Sequence, residues 1–276
     1  MDELIDLFNA GKLSQAIEKA NALVTANPRD LALRLVMVQL VCFTGNWERV
    51  EKVAKQLKAL DSDQEHIALT GMIDNLSIAE LQRAAVWREG MIPEFIETPD
   101  EVTNKLLWAL SCLRSGETEN CNQAMEFVWE NAPTLRLTLA DGQVHEGFRD
   151  FDDVTATVFE AFTVQGNYIW LPHYLVKSIE VSRPTRLIDH LWNKARMTLH
   201  DGRSMVLFMP GTYFNSADEK SSDLLKLGRE TAWPEVESDV VDLASMGRGR
   251  RIFAAGEEEF TLFDLVDATL EVAENG

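Results

Sequence analysis

The sequence predicts an α+β protein in which a helical region over residues 1–133 is followed by a strand-rich region over residues 134–276. Two observations lead to this prediction. Before Pro133, apolar residues recur every three or four positions, which is the spacing of one helical face. After Pro133, apolar and polar residues alternate, which is the spacing of a half-buried strand. The chain has 276 residues and is 46% hydrophobic, which is enough for one large core or two modest ones.

Three segments of the helical region share one design. "AGKLSQAIEKANALVTANP" places Gly11 before an amphipathic helix and Pro28 after it. "TGNWERVEKVAKQLKALDS" repeats this pattern from Gly45, and "SGETENCNQAMEFVWENAP" repeats it from Gly116 to Pro133. Since Gly45 follows Gly11 by about 34 residues, this helix–turn–helix unit resembles the tetratricopeptide repeat. We expect stacked antiparallel helix pairs; an irregular helical bundle with chance spacing is the alternative.

The remaining helices of this region supply partners for the repeated ones. Residues 31–43 are apolar nearly all round, and residues 102–113 are similar. Between the second and third copies, 67–73 and 78–87 have helical patterns, and "GMIPEFIETP" interrupts the repeat. In such repeats the first helix of each pair lines a concave groove. Aligning the units predicts a partner-binding groove, or packing against the middle segment, for Leu35, Gln39, Phe43, Leu106, Leu110 and Leu113.

One short sequence segment occurs twice, in nearly the same form, in the strand-rich region. "RLTLADG" spans 136–142 and "RMTLHDG" spans 196–202. The alternation predicts strands, and an Asp-Gly pair tolerates the positive backbone angles of a tight turn. Further strands are predicted at 167–171, 176–182 and 251–256, and helices at 150–162 and 261–273. We therefore expect a curled antiparallel, barrel-like sheet with a few helices.

The composition excludes several classes of protein. Forty-five acidic and 26 basic residues give a formal net charge of −19, which repels phosphate backbones, so no nucleic-acid partner is expected. The longest apolar run, around 31–43, is too short to span a bilayer, and the acidic start "MDELIDLF" is unlike a signal peptide. The scattered cysteines Cys42, Cys112 and Cys121 have no C-x-x-C spacing, which favours reduced core thiols and a cytoplasmic protein.

Two clusters of polar residues are candidates for chemistry or binding. None of the familiar hydrolase, phosphate-loop or zinc motifs occurs, so no catalytic site and no cofactor are expected. Asp150, Asp152 and Asp153 suit the capping of a helix; the alternative is a cation site in a metal-dependent hydrolase. Arg248, Arg250 and Arg251 form a dense basic patch, which would either pair with acidic loops or dock an acidic partner.

Several sequence segments taken together resemble those of a known family. "FRDFDDVTATVFEAF" is followed by "GNYIWLP", "RPTRLIDHLWNKARMTLHDG", "LFMPGTYF", "LGRETAW" and "GRGRR". In this order and spacing they resemble the ImpE/SciE family, also called TagJ, of type VI secretion accessory components. The matching positions include Asp152, Asp153, Trp170, Asp189, Trp192, Arg229, Trp233 and Arg251. Departures from the family pattern occur at Asn193, Ala232 and Arg250, and they put in doubt any polar contact at those positions.

The resemblance implies a cytoplasmic, non-enzymatic protein of the contractile secretion machinery. The implied partner is the N-terminal helix of the small sheath subunit, TssB. A link to sheath recycling by the ClpV ATPase is implied more loosely. Trp170 is expected in the core because it lies in the apolar run "YIWL", whereas Trp192 and Trp233 could be core or docking residues.

Overall fold

The computed structural model describes residues 1–60, 62–233 and 246–273. Helices form the first half of the chain and pack on one another in order, from the first to the fifth and again in the last long pair. The helices are α1 Asp2–Asn9, α2 Leu13–Ala26, α3 Leu31–Cys42, α4 Trp47–Lys58, α5 Gln64–Ala84, α6 Glu101–Ser115, α7 Thr118–Asn131 and a short α8 Asp223–Lys226.

Side-chain caps and glycines set the ends of these helices. Asp30 accepts a hydrogen bond from the backbone N–H of Leu33 at 3.0 Å and so caps α3, while Gly116 ends α6 with a φ of +69°. Helices were expected separately at 67–73 and 78–87, but they form the single helix α5, which a π-helical turn at Ala85–Glu89 extends. Both stretches are helical, as predicted, but the half-buried polar residues between them, Asp74, Asn75 and Ser77, continue the helix and do not interrupt it.

Strands begin directly after the helical half, at Leu135. They are β1 Leu135–Thr138, β2 Val144–Glu146, β3 Arg149–Asp150, β4 Val158–Thr163, β5 Tyr168–Pro172, β6 Val176–Val181, β7 Trp192–Leu199, β8 Ser204–Pro210, β9 Thr231–Ala232, β10 Arg248–Gly249, β11 Phe253–Ala255, β12 Glu258–Phe260 and β13 Ala268–Val272. Eight of them form one sheet in the order β2-β1-β13-β6-β7-β8-β4-β5, and all neighbouring pairs are antiparallel. The predicted order of helices first and an antiparallel sheet second is confirmed.

The duplicated segment forms two equivalent hairpins, as predicted. Gly142 and Gly202 have φ values of +86° and +90° and connect β1 to β2 and β7 to β8. Each glycine N–H donates to the residue three positions earlier, and each aspartate accepts from the N–H two positions later, at 3.0 Å for Asp141 and 2.9 Å for Asp201. The bonding is that of a three-residue hairpin loop, in which glycine takes the left-handed position.

The helices predicted at 150–162 and 261–273 are wrong. Residues 158–163 form strand β4, preceded by a single 3-10 turn at Asp153–Thr155, and residues 268–272 form strand β13. The reason in β4 is burial on both faces of the sheet. Phe162 packs into the core of the helical half, whereas Phe159 packs into a second core on the other face. Such a strand shows no alternation, and its valine and phenylalanine spacing therefore imitates a helix.

One hydrophobic core extends across the change from helices to strands. It contains the inner faces of α1 to α7 together with Val158, Tyr168, Trp170 and Trp192 from the sheet. All three cysteines are buried, as predicted. Because the helices cover one face of the sheet, the two halves of the chain stabilise each other through shared apolar burial.

A buried group of charged side chains lies inside this shared core. Glu160 on β4 accepts hydrogen bonds from Arg83 of α5, with both N···O distances 2.8 Å, and pairs with Arg251. Trp87 donates its indole N–H to the same carboxylate at 3.0 Å. Arg251 also pairs with Asp150, which accepts from the Tyr213 hydroxyl at 2.9 Å. Burial opposes ionisation, but Arg83 and Arg251 hold the pKa of Glu160 at about 2.

We predict that Gly202→Val and Gly142→Val each destabilise the fold by on the order of 1 kcal/mol or more, because a β-branched residue resists a positive φ. A Cβ at either position would meet no atom within 4 Å, so the cost is that of the backbone angle alone. Gly71→Ala, in α5 and equally unobstructed, is the matched control and should stabilise slightly. Urea unfolding measures all three; equal free energies for the Gly202→Val variant and the parent would contradict the prediction.

We also predict that Glu160→Gln lowers the free energy of unfolding by about 3–5 kcal/mol, because two buried arginines lose their shared carboxylate. Since the pKa of Glu160 is lowered, its contribution is present above its ordinary value of 4.5 and is lost as the pH falls toward about 2. Urea unfolding between these pH values should therefore show a smaller pH dependence in the variant.

The control for this variant is Glu180→Gln, which removes an exposed carboxylate 3.7 Å from Arg196. That change should alter the free energy of unfolding by less than about 1 kcal/mol. If the two variants are equally stable, the buried carboxylate of Glu160 does not contribute the predicted free energy of unfolding.

Candidate docking surface

The predicted groove residues lie mostly inside the protein. Phe43, Leu106 and Leu110 are buried, and so is Gln39. Only Leu35 and Leu113 of that set are half-buried and partly reachable from solvent. The groove is therefore not open in this structure, and replacing Phe43 or Leu110 by aspartate would test folding rather than binding.

The strand-rich half of the same chain packs against the helices near these residues. The Gln39 side chain accepts a hydrogen bond from the Ile188 N–H at 3.3 Å, within the 3-10 turn at Leu187–His190. Trp47 of α4 stacks on Trp192 with ring centroids 6.0 Å apart. At the other end of the groove, α6 packs against the 3-10 turn at Asp153–Thr155. Of the residues predicted to bind a partner, Gln39 thus binds the strand-rich half of its own chain.

The three aspartates are held by protein groups. Asp152 accepts from the Val154 N–H at 3.0 Å and the Gly247 N–H at 2.9 Å, so it caps a 3-10 turn rather than the expected α-helix. Asp150 pairs with Arg251, and Asp153 lies 3.7 Å from Arg149. Burial, with the Asp150 charge, raises the pKa of Asp152 well above its ordinary value. The hydrolase alternative loses the residues on which it rested.

The described parts of the chain offer neither a metal site nor a membrane span. Among them, no group of three or more His, Cys, Asp or Glu side chains is arranged to hold a metal ion. None of the helices within those same ranges is long and apolar enough to cross a membrane.

The predicted basic patch is not one continuous surface. Arg251 is fully buried in the charged cluster, Arg248 is half-buried, and Arg250 alone is exposed. Arg250 donates its Nε–H to the carbonyl of Gly228 at 2.7 Å. For Arg251, internal pairing with acidic groups, one of the two alternatives that the sequence left open, is the one found. Sequence spacing does not show its partners Asp150 and Glu160, which lie far away in the chain.

The family-like positions serve mainly to hold the two halves together. Trp170 is buried, as expected, and Trp192 is also buried and donates its indole N–H to Glu80 at 3.0 Å. Trp233 is half-buried against Phe151, at 5.5 Å between ring centroids. Two further positions stabilise turns and helix contacts: Asp189 caps the 3-10 turn before β7, and the Arg229 guanidinium lies 5.5 Å from the Phe8 ring centroid.

An apolar stripe stands exposed on the outer face of α5. Ile67, Ile78 and Leu81 are 39%, 50% and 55% exposed, and their spacing places them on one side of the helix. Gly71 lies on the same side, and a Cβ there would meet nothing within 4 Å. We call Ile67, Gly71, Ile78 and Leu81 the α5 stripe. Exposed apolar side chains grouped in this way mark interaction surfaces more often than scattered ones do.

The α5 stripe lacks the helical partner that the other helices have. Successive helices pack as neighbours from α1 to α5 and in the pair α6 and α7. After α5, residues 90–100 form no helix; their regular contact is a single bridge between Glu94 and Ile169 at the edge of the sheet. The sequence carried a signal for this surface, since α5 is apolar on two faces and "GMIPEFIETP" replaces the next helix.

Comparison with known proteins identifies relatives of this chain. The model of the ImpE protein family matches residues 142–269. The type VI secretion system accessory component TagJ of Pseudomonas aeruginosa is 28% identical over 273 residues, which is 96% of this chain and 90% of that protein. The crystal structure of protein VPA1032 from Vibrio parahaemolyticus has the same fold, with a TM-score of 0.84, 24% identity and coverage of 99% of this chain and 98% of that one. The family resemblance predicted from the sequence is confirmed: the ImpE family model matches residues 142–269, and the similarity to TagJ extends over nearly the whole chain.

Proposed function

We propose that this chain is a non-enzymatic accessory component of a type VI secretion system and works in the cytoplasm. The observation that carries the proposal is the match to TagJ, which extends over nearly the whole of both chains. By the same family resemblance, its partner is the N-terminal helix of the small sheath subunit TssB. An effect on sheath recycling by the ClpV ATPase belongs to the same proposal and rests on the resemblance alone.

We place the TssB helix on the α5 stripe. Recognition of an amphipathic helix needs apolar anchors along a surface and room for the backbone to approach. Ile78 and Leu81 supply exposed anchors, and Gly71 presents no side chain. Asp74, on the same side between Gly71 and Ile78, is paired with Lys58 of α4. Burying each large apolar side chain contributes about 1.5–3 kcal/mol, so a few of them support reversible binding after association costs.

This placement also accounts for the interrupted repeat. We propose that the helix pairs are degenerate tetratricopeptide-like units and that α5 is the first helix of a unit whose second helix is missing from the chain. A helix from TssB bound along α5 would complete that unit. Support comes from the irregular course of residues 90–100 and from the apolar outer face of α5.

The test is a calorimetric titration of the purified chain with a peptide of the TssB N-terminal helix from the same organism. The double variant Ile78→Asp/Leu81→Asp should bind at least about tenfold more weakly, which corresponds to about 1.4 kcal/mol. The reason is that two charges replace the anchors at the centre of the contact. Circular dichroism should show that the variant stays folded, because both side chains are exposed.

Val144→Asp is the matched control, since Val144 is an exposed apolar residue on the distant edge strand β2. It should bind the peptide like the parent. Unchanged affinity in the α5 double variant would reject the α5 stripe as the site while leaving TssB as the partner. Absence of binding to the parent chain would reject TssB itself.

A further inference from the structure

A cavity of about 220 Å³ lies where three parts of the strand-rich half meet. Its walls come from the 3-10 turn before β7, the loop after β8, and the segments around Arg250 and Leu262. It is separate from the α5 stripe, with which it shares no residue. None of its lining residues has a role in the proposed binding of a helix.

Positive charge dominates the described lining of this cavity. Arg229, Arg250, Arg251 and His190 line it, and no described carboxylate does. This is unusual on a chain with a formal net charge of −19. Arg251 is neutralised by its buried ion pairs, but Arg229 and Arg250 have no ion pair with a described carboxylate. Two guanidinium groups are therefore available to an anion.

Two buried polar atoms of the lining have no protein partner. The Nε of Arg251 and the Oδ1 of Asn193 are enclosed and make no hydrogen bond, although each side chain is only 1% exposed. Buried donors and acceptors nearly always have a hydrogen-bond partner, because an unpaired one loses the whole free energy of its hydrogen bonds to water. The unpaired donor Nε of Arg251 fits a ligand that supplies acceptor oxygens, and a water molecule bound beside such a ligand can donate to the Oδ1 of Asn193.

Burial affects the titration of two groups in the lining. Burial, together with Arg229, lowers the pKa of His190, while Asp189 opposes this shift. Burial, together with Arg250, lowers the pKa of Arg229. A bound anion would favour the charged form of both groups.

We propose that this cavity binds the phosphate group of a small organic phosphate. Guanidinium groups bind phosphate oxygens through paired N–H donors, and a dianion matches two free arginines better than a single carboxylate does. Gly211 and Gly228 also belong to the lining, where no side chain of theirs takes up space. The volume exceeds that of a phosphate ion, and Leu262 and the half-exposed Phe263 form an apolar wall for an organic group.

In the experiment, the full chain is titrated with inorganic phosphate, phenyl phosphate and benzoate at constant ionic strength. Binding is measured by calorimetry and by phosphorus NMR. Both phosphates should bind saturably, and phenyl phosphate should bind at least about tenfold more tightly than benzoate. The double variant Arg229→Gln/Arg250→Gln should lose at least about tenfold in affinity for both phosphates. Arg196→Gln, an exposed arginine on β7, is the control and should bind like the parent.

The variant Phe263→Ala distinguishes an organic phosphate from inorganic phosphate as the ligand of this cavity. It should weaken phenyl phosphate and leave inorganic phosphate unchanged, whereas equal affinities in parent and variant would overturn the organic part of the proposal. Arg229 also lies over the Phe8 ring, so thermal unfolding must show that the double variant is folded. In a folded double variant, unchanged phosphate affinity would overturn the site, and so would a lack of saturable binding to the parent.

Discussion

The fold depends on one carboxylate that two arginines share inside the core. Glu160 sits on a strand buried on both faces, Arg83 reaches it from α5, and Arg251 reaches it from the segment before β11. A single buried charge without its partners would be strongly unfavourable. The helix, the strand and the C-terminal segment therefore depend on one another. If any one of the three separates, a charge is either exposed to solvent or left buried without its partner.

This constraint decides where a partner can bind. Because α5 is tied to β4, the sheet lies against the helices, where Trp192 stacks on Trp47 and Ile188 bonds to Gln39. The inner face of α5 contacts the sheet. Its outer face carries the α5 stripe, on which we propose that a partner docks.

Local patterns in the sequence predicted much of the fold but little of the site. The helical spacing around Leu13 and Trp47 and the two Asp-Gly turns depend on neighbours within a few residues, and both predictions are correct. Strand β4 was missed because its burial on two faces removes the alternation that marks a strand. The charged cluster could not be predicted from the sequence for a different reason. Glu160 is 77 residues from Arg83 and 91 from Arg251 along the chain, so no local pattern links them. Nothing in the spacing of "GRGRR" shows that its last arginine is buried.

The central claim is that the helical and strand-rich halves open as one cooperative unit. Native-state hydrogen exchange at low denaturant, read by mass spectrometry on peptides from α5 and β4, measures this most directly. We expect the slowest amides of both elements to exchange with the same free energy of opening and the same dependence on denaturant. A lower free energy of opening for α5, with β4 still protected, would show that the helices unfold on their own and would contradict the account.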